Sequence, residues 1–378
     1  MPTIIDRYML RQFVEVLVIC FLSLIGLYIV IDAFGHLDHF VDYSEKHGSL
    51  LGTLVGFYSY RAVAFFDRTS GVLTLIAVMF TVTWIQRHNE MTALLAAGIP
   101  RMRVLRPVLI AAIGVSLVAA ANREFFMPSI RDHLATDSKN LGGEREALMQ
   151  SRFDSQTYIL LGGERIVPAE KKIVNANFVL PRHLNQFGRQ LSAHEARFVP
   201  ATATRPGGYL LSGVTSPKAL LRQPSLLLGG EPVVITPVGN DWLRADQIFV
   251  VSDVSFEFLA AGANWRDFAA TSEMIRELRS PSTDLGNDVR VAIHTRIVQP
   301  FLDTTLLMLG LPFVVTRTNR NPFLILGLCL AVVTVFMLVV LGSQSLGSSG
   351  WLPPALAAWL PLMLFAPLAA ALYDALRQ

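Results

Sequence analysis

Apolar residues gather in six long runs: Phe13–Ile31, Thr69–Ile85, Pro107–Ala121, Pro300–Val315, Pro322–Leu341 and Leu352–Leu372. Three precede and three follow a long stretch of mixed polarity. A helix that crosses a bilayer needs about 20 mostly apolar residues. The third and fourth runs reach that length once Asn122–Met127 and Thr295–Gln299 are added. Pro300, Pro312, Pro361 and Pro367 fall inside runs, which membrane helices tolerate because neighbouring groups satisfy the freed backbone. The pattern predicts six membrane helices in a 3+3 order.

The stretch between the two sets reads differently. Gln156–Leu161, Ile173–Leu180, Leu191–Val199, Gly208–Val214 and Pro232–Pro237 are short β-prone runs divided by Gly, Pro and Asn. The strongest alternation is Val251–Phe258, where Val254, Phe256 and Phe258 alternate with Asp253, Ser255 and Glu257, predicting a half-buried strand. Such strands suit an antiparallel sandwich, jelly roll or barrel. Thr271–Arg279 then predicts a short helix with Thr271 or Ser272 as N-cap and Glu273 in its first turn. Ser280-Pro281-Ser282 reads as a linker back to the membrane.

Composition sharpens this picture. Of 378 residues, 52% are hydrophobic and only 16% charged, against about 25% charged in an ordinary soluble domain. The mean hydropathy is +0.45. These values exclude a disordered or fibrous chain and argue against a single soluble domain. Between Ile130 and Arg290 lie 18 basic and 18 acidic residues, so the middle is a charge-balanced domain of normal size. The chain divides into 1–128 (helices one to three, with a short helix near 88–98), 129–290 (the β domain) and 291–378 (helices four to six). Cys20 and Cys329 both sit in apolar runs and read as small core residues, not a disulfide or a metal pair. The formal net charge of +3 carries no polybasic tail for nucleic acid.

The positive-inside rule orients the helices. With a cytoplasmic N-terminus, nine basic residues lie inside: Arg7, Arg11, Arg87, Arg101, Arg103, Arg106, Arg317, Arg320 and Arg377. The outer connection Asp32–Tyr60 carries Lys46 against Asp32, Asp38, Asp42 and Glu45, and Gly342–Gly350 is uncharged. Both termini are then cytoplasmic and the β domain is periplasmic. The first run exceeds a signal-peptide h-region and has no small-x-small cleavage site after it, so it reads as an uncleaved anchor.

No catalytic constellation is present. The sequence has no Walker-type phosphate loop, no His-Glu-x-x-His and no Gly-x-Ser-x-Gly. No cofactor or metal is expected. His36 and His39 fit a solvated turn better than a ligand pair, and the Gly52–Gly56 spacing is a weak helix-contact signal. The most informative stretch is Gln86–Arg101. Asn89 can cap a short helix, Glu90 favours its positive end, and Gly98-Ile99-Pro100 stops it. A surface helix lying on the membrane and a helix that docks a cytoplasmic partner both fit.

Several of these segments resemble one family, the lipopolysaccharide-export permeases (LptF/LptG, also called YjgP/YjgQ). The likeness begins at Ile5-Asp6-Arg7-Tyr8 and continues through Asn89-Glu90-Met91-Thr92-Ala93-Leu94 and Ala96-Ala97-Gly98-Ile99. It resumes at His294-Thr295-Arg296-Ile297-Val298-Gln299-Pro300-Phe301 and Leu309-Gly310-Leu311-Pro312-Phe313. The resemblance implies an inner-membrane subunit of an ABC exporter, without catalysis of its own, that carries a periplasmic β-jellyroll domain. It implies a cytoplasmic ATPase dimer, a second related permease, a periplasmic bridge or adaptor (LptC/LptA-like) and a lipid cargo as partners. By position, Asn89 and Glu90 belong to the helix that couples to the ATPase, with Ala97 and Gly98 shaping its end.

One region departs from the family. LptG-type permeases tend to place Lys or Arg near the outer end of the first helix, where this chain reads Asp32-Ala33-Phe34-Gly35-His36-Leu37-Asp38-His39. Arg61, Arg68, Arg123 and Arg296 are the other basic residues near the outer interface. Arginine suits anion recognition and equally suits snorkelling to ordinary bilayer phosphates. Asp303 lies inside the fourth run, where an ionisable group faces a cavity or a partner; a place on the central cavity is expected. Two other classes compete with the exporter. One is a mechanotransmission or sensor protein whose outer domain binds a partner. The other, an intramembrane enzyme, is disfavoured because no catalytic triad appears in the spans.

Overall fold

The computed structural model describes residues 4–134, 147–202, 205–260, 265–315 and 322–377. It divides into two compact units, Met1–Leu134 with Gly286–Gln378, and Ala135–Leu285. Arg317 and Arg320, counted above as cytoplasmic charges, lie outside the described residues, as do the side chains of Glu45, Lys46 and Arg377.

The first unit is helical. Its elements are α1 (Ile4–Gly35), α2 (Leu37–His47), α3 (Leu50–Arg87), α4 (Glu90–Ala96), α5 (Arg101–Ala121), α6 (Asn287–Val315), α7 (Pro322–Ser348) and α8 (Pro354–Arg377). Five helices among the described residues are long and apolar enough to cross a membrane: Ile4–Gly35, Leu50–Arg87, Arg101–Ser129, Gly327–Ser348 and Pro354–Leu372. The remaining run of the expected six is helical in α6. Arg296, Gln299, Pro300 and Asp303 dilute its apolar character, and it is not among the five. Beyond α5 the helix continues through a π-helical turn, Asn122–Phe126, into Met127–Ser129.

The connection Asp32–Tyr60 is largely helical. α2 and the first turns of α3 form a hairpin, with Ser49 accepting the Gly52 N–H at 3.0 Å as N-cap. Aromatic packing holds the hairpin together. Phe40 is fully buried, its ring 5.2 Å from Phe57 and 5.9 Å from Tyr58. Gly56 meets nothing within 4 Å where a Cβ would stand, so among the described residues this spacing makes no close helix contact.

In lipid, helices gain little from apolar burial alone, so close packing and polar links must hold the bundle. Met9 and Phe13 of α1, Val82 and Ile85 of α3, Met91 of α4, Val104 and Val108 of α5, and Leu302 and Leu306 of α6 share one core. Within the span level, Asp303 of α6 accepts hydrogen bonds from Ser116 of α5 (2.7 Å) and Gln299 of its own helix (2.9 Å). Gly71 of α3 backs this carboxylate: a Cβ there would stand 2.5 Å from Asp303 Oδ1. Glycine is what lets α3 approach so closely. By contrast α1 is barely covered by the rest of the chain, and most of its apolar surface faces outward.

The second unit is built on one antiparallel ten-stranded sheet: β1 (Ala147–Leu148), β2 (Arg152–Phe153), β3 (Leu160–Leu161), β4 (Arg165–Val167), β5 (Lys172–Val179), β6 (Gln190–Val199), β7 (Gly208–Ser216), β8 (Leu226–Leu228), β9 (Glu231–Ile235) and β10 (Gln247–Val251). Its order is β1-β4-β5-β6-β7-β10-β9-β8, with β2 and β3 attached beside β5. The buried parity flips along β5, from Ile173 to Ala176 and Phe178, and along β7, from Leu211 to Val214. Asn175 (φ 49°) and Gly213 (φ 67°) mark the flip, with a register irregularity nearby at Ser192/Ala193 of β6. Irregularities of this kind bend a strand and re-aim its side chains. Here they keep Ile173, Phe178, Leu191, Tyr209 and Leu211 all in the core.

Three local expectations are corrected. Gln156–Leu161 begins as a turn and irregular chain, with only Leu160–Leu161 in the sheet. Val251–Phe258 is not a strand: the strand is Gln247–Val251, and Phe256–Ala260 is a helical turn whose Phe258 N–H donates to Ser255 Oγ at 3.3 Å. Val254, Phe256 and Phe258 are all buried, so the alternation reported burial correctly while its period came from a loop joined to a helix. The helix Thr271–Arg279 forms, but its N-cap is Ala270, whose N–H is accepted by Glu273 at 3.3 Å.

Glu277 of that helix is buried and accepts a hydrogen bond from Ser255. Burial raises its pKa above the usual carboxylate value; the Ser255 hydrogen bond opposes the rise, Glu257 adds to it, Arg276 opposes it and Glu273 adds to it. The native state therefore keeps this proton to higher pH than the unfolded chain does. The stabilisation is complete at low pH and is lost as pH rises through the raised pKa. Glu277→Gln is expected to abolish that pH dependence. The measurement is amide exchange of 256–260 and 271–279, corrected for intrinsic rates. An unchanged pH profile in the variant would assign the effect to another group.

Candidate functional site

α4 lies between two membrane helices, and its geometry follows from local sequence. Asn89 adopts φ 58° and serves as N-cap through its backbone carbonyl, which accepts the Ala93 N–H at 3.0 Å. Its side chain makes no capping hydrogen bond, contrary to expectation. At the other end the Gly98 N–H donates to Leu95 O (2.9 Å) and the Ile99 N–H to Leu94 O (3.0 Å), with Gly98 at φ 79°. This is a Schellman stop, in which glycine occupies the left-handed position without a Cβ penalty. Ala97 is the C-cap just before it. Met91 is buried and anchors the helix to the bundle core, while Thr92 and Ala93 are exposed.

Two contacts that sequence reasoning missed flank this helix. Tyr8 Oη donates to Glu90 Oε2 at 3.0 Å and Oε1 at 3.2 Å. Arg103 in the first turn of α5 donates from Nη1 and Nη2 to Asp6 Oδ1 and Oδ2 at 2.9 and 3.1 Å, a forked ion pair on a buried carboxylate. The available signal was Ile5-Asp6-Arg7-Tyr8 itself: an acidic residue and a phenol in the first turns of an anchor helix invite partners.

The arginines singled out from the sequence sit in different surroundings. Arg123, in the π-helical turn, is paired with Asp67 of α3, Nε reaching Oδ2 at 3.0 Å and Oδ1 at 3.2 Å. Arg61 lies over the Phe57 ring at 4.2 Å and reaches Tyr28 Oη at 3.5 Å. Arg68 is exposed on α3 and Arg296 half-buried on α6, each with interactions of its own. Asp303 sits in the polar contact of α3, α5 and α6 described above. Asp32, in the segment that departs from the family, accepts from Tyr58 Oη at 2.7 Å.

Between α1, α3 and α5 with its π-helical extension lies an open apolar groove of about 520 Å³, lined by Leu17, Phe21, Val63, Phe66, Val118 and Phe126 among others. Asn122 is the one polar residue of its wall, its amide donating to Val63 O at 3.4 Å. Such a wall offers dispersion and exclusion of water, suited to a hydrocarbon chain and not to bond-breaking chemistry. Among the described residues, no group of three or more His, Cys, Asp or Glu could hold a metal.

Comparison with known proteins agrees with this arrangement. The family described as "Lipopolysaccharide export system permease LptF/LptG" matches residues 7–210 and 252–375, both spans of the helical unit and most of the β unit. Among curated proteins none matches the chain significantly. Six apolar runs interrupted by a β unit, a Schellman-stopped helix between two of them and a family match over most of the length lead to one conclusion: this chain belongs to the LptF/LptG family of lipopolysaccharide export system permeases.

Proposed function

We propose that this chain is the transmembrane permease subunit of an ABC exporter. In this reading it extracts lipopolysaccharide, or a similar amphipathic lipid, from the inner membrane and passes it to a periplasmic bridge. The observation that carries the reading is α4, a short helix whose Glu90 stands at its N-terminal end in a connection rich in arginine. A cytoplasmic ATPase dimer binds there, closes on ATP and displaces α4. A second related permease completes the membrane part, both termini are cytoplasmic, and the β unit is periplasmic. Holding acyl chains in apolar surroundings supplies about 0.8 kcal/mol per CH₂ buried.

The residues divide the work. Asn89 and Glu90 engage the ATPase, and Ala97 and Gly98 fix where the helix ends. Arg61, Arg68, Arg123, Arg296 and Asp303 stand as candidates for the lipid and its headgroup, Arg123 through its pair with Asp67 and Asp303 through its contact with Ser116. Mild-detergent purification of the tagged chain from its own membranes is expected to recover an ATPase and a second permease of related sequence. A chain recovered alone, under conditions that preserve other ABC complexes, would sink the reading and favour a sensor that binds only periplasmic partners.

A further inference from the structure

The contacts around α4 join it to the one span that the rest of the chain covers least. Glu90 starts α4 and Arg103 starts α5, and α1 reaches both: Tyr8 bonds the Glu90 carboxylate and Asp6 holds the Arg103 guanidinium in a fork. Between these polar ties, Met9 and Phe13 of α1 are buried in the core that contains Met91, Val104 and Leu105. The cytoplasmic end of α1 is thus fastened to the α4–α5 corner by apolar packing and two polar contacts. Farther along, Ile19, Leu22, Leu27 and Ile31 are all exposed. On its other side Phe21 and Tyr28 pack against Phe65 and Phe66 of α3, and Asp32 accepts from Tyr58, so α1 spans from the α4–α5 corner to the far part of α3 and carries a displacement of that corner along its length.

We infer that Asp6 and Tyr8 are positioning residues that fasten α4 to α1, so that displacement of α4 is delivered to α1 as well as to α3 and α5. This rests on the reading of α4 as the ATPase-docking helix. A forked guanidinium–carboxylate pair resists rotation about either bond, which a single point contact does not. Tyr8 adds a second tie at the opposite end of the helix and orients the carboxylate of Glu90. Neither residue lines the apolar groove between α1, α3 and α5, so their loss is expected to act through coupling and not through binding of cargo.

The test uses the intact complex of permeases and ATPase, reconstituted in proteoliposomes containing lipopolysaccharide, with lipid extracted per ATP hydrolysed as the readout. Tyr8→Phe keeps the ring and removes one oxygen; the extraction-to-hydrolysis ratio is expected to fall about threefold, with complex assembly unchanged. Asp6→Arg is expected to lower it at least fivefold, and Asp6→Arg with Arg103→Asp to recover to within about twofold of wild type. A wild-type ratio in assembled Tyr8→Phe and Asp6→Arg complexes overturns the inference, and so does a charge swap no better than Asp6→Arg. Glu90→Ala, run alongside, separates the two levels. If it uncouples while Tyr8→Phe and Asp6→Arg do not, the fastening is wrong and the docking stands; if it has no effect, the docking itself fails.

Discussion

Glu90→Ala is expected to cut ATP-driven lipid extraction by about tenfold or more while leaving the permease folded and abundant in the membrane. The residue is half-exposed, at the first position of α4, and accepts a hydrogen bond from the exposed Tyr8 hydroxyl. Removing it therefore opens no cavity in the core. What it removes, on the proposed reading, is the carboxylate that engages the ATPase. A hydrogen bond to a charged group is worth about 1.5–3 kcal/mol, and each 1.4 kcal/mol is tenfold in an equilibrium. Glu90→Arg is expected to be worse, because it sets a cation where an anion is received. ATPase stimulation by the permease, extraction from vesicles and membrane abundance are the three measurements. Normal extraction by Glu90→Ala would remove the coupling role. A loss of abundance equal to the loss of transport would reassign the residue to stability.

Arg123→Ala is expected to cause the largest loss of stability, about 3–5 kcal/mol, the usual cost of leaving a buried charge without its partner. Asp67 is 9% exposed and Arg123 19% at the side chain, and they meet through two nitrogens of one guanidinium. The alternatives for an unpaired Asp67 at this depth are protonation or a rearranged helix, both costly in low-dielectric surroundings. Removing both partners, Asp67→Ala with Arg123→Ala, is expected to recover most of the loss, because no uncompensated charge then remains. Arg123→Lys is expected to fall between, since an ammonium cannot reproduce the fork. Thermal unfolding in detergent across this cycle gives the coupling energy directly. If the double variant is as unstable as Arg123→Ala, the pair is not what holds α3 to the π-helical turn. If Arg123→Ala keeps full stability but loses transport, the arginine serves the cargo instead.

Five of the six expected spans were legible because the bilayer imposes its thickness on the length of an apolar run, a constraint that acts along the chain and needs no partner. The end of α4 was legible for a related reason: Gly98, Ile99 and Pro100 act within a few residues of one another, through bonds to Leu94 and Leu95. Thr271–Arg279 was found from its polarity, although the cap fell one residue earlier than side-chain preference indicated. The strand at Val251–Phe258 was misread because burial on alternate positions is not unique to a strand. A loop whose Val254 turns inward, followed by a helical turn presenting Phe256 and Phe258, gives the same pattern.

The contacts of the candidate site were a different matter. Tyr8 and Glu90 are 82 residues apart, Asp6 and Arg103 97, and Ser116 and Asp303 187. Each pair exists because helices distant in sequence pack in one register, and one residue of rotation would separate them. Sequence alone sufficed for what depends on solvent and on neighbours within a few positions: six apolar runs, an inserted β unit, a short stopped helix and the family. Only the tertiary structure decided which charges meet. Arg123 is paired with Asp67, Asp303 is held by Ser116 and Gln299 against Gly71, and the first turns of α1 hold the corner where α4 begins. Pairing of that kind is settled by packing geometry, which sums many weak contacts along whole helices and leaves no local mark on any one residue.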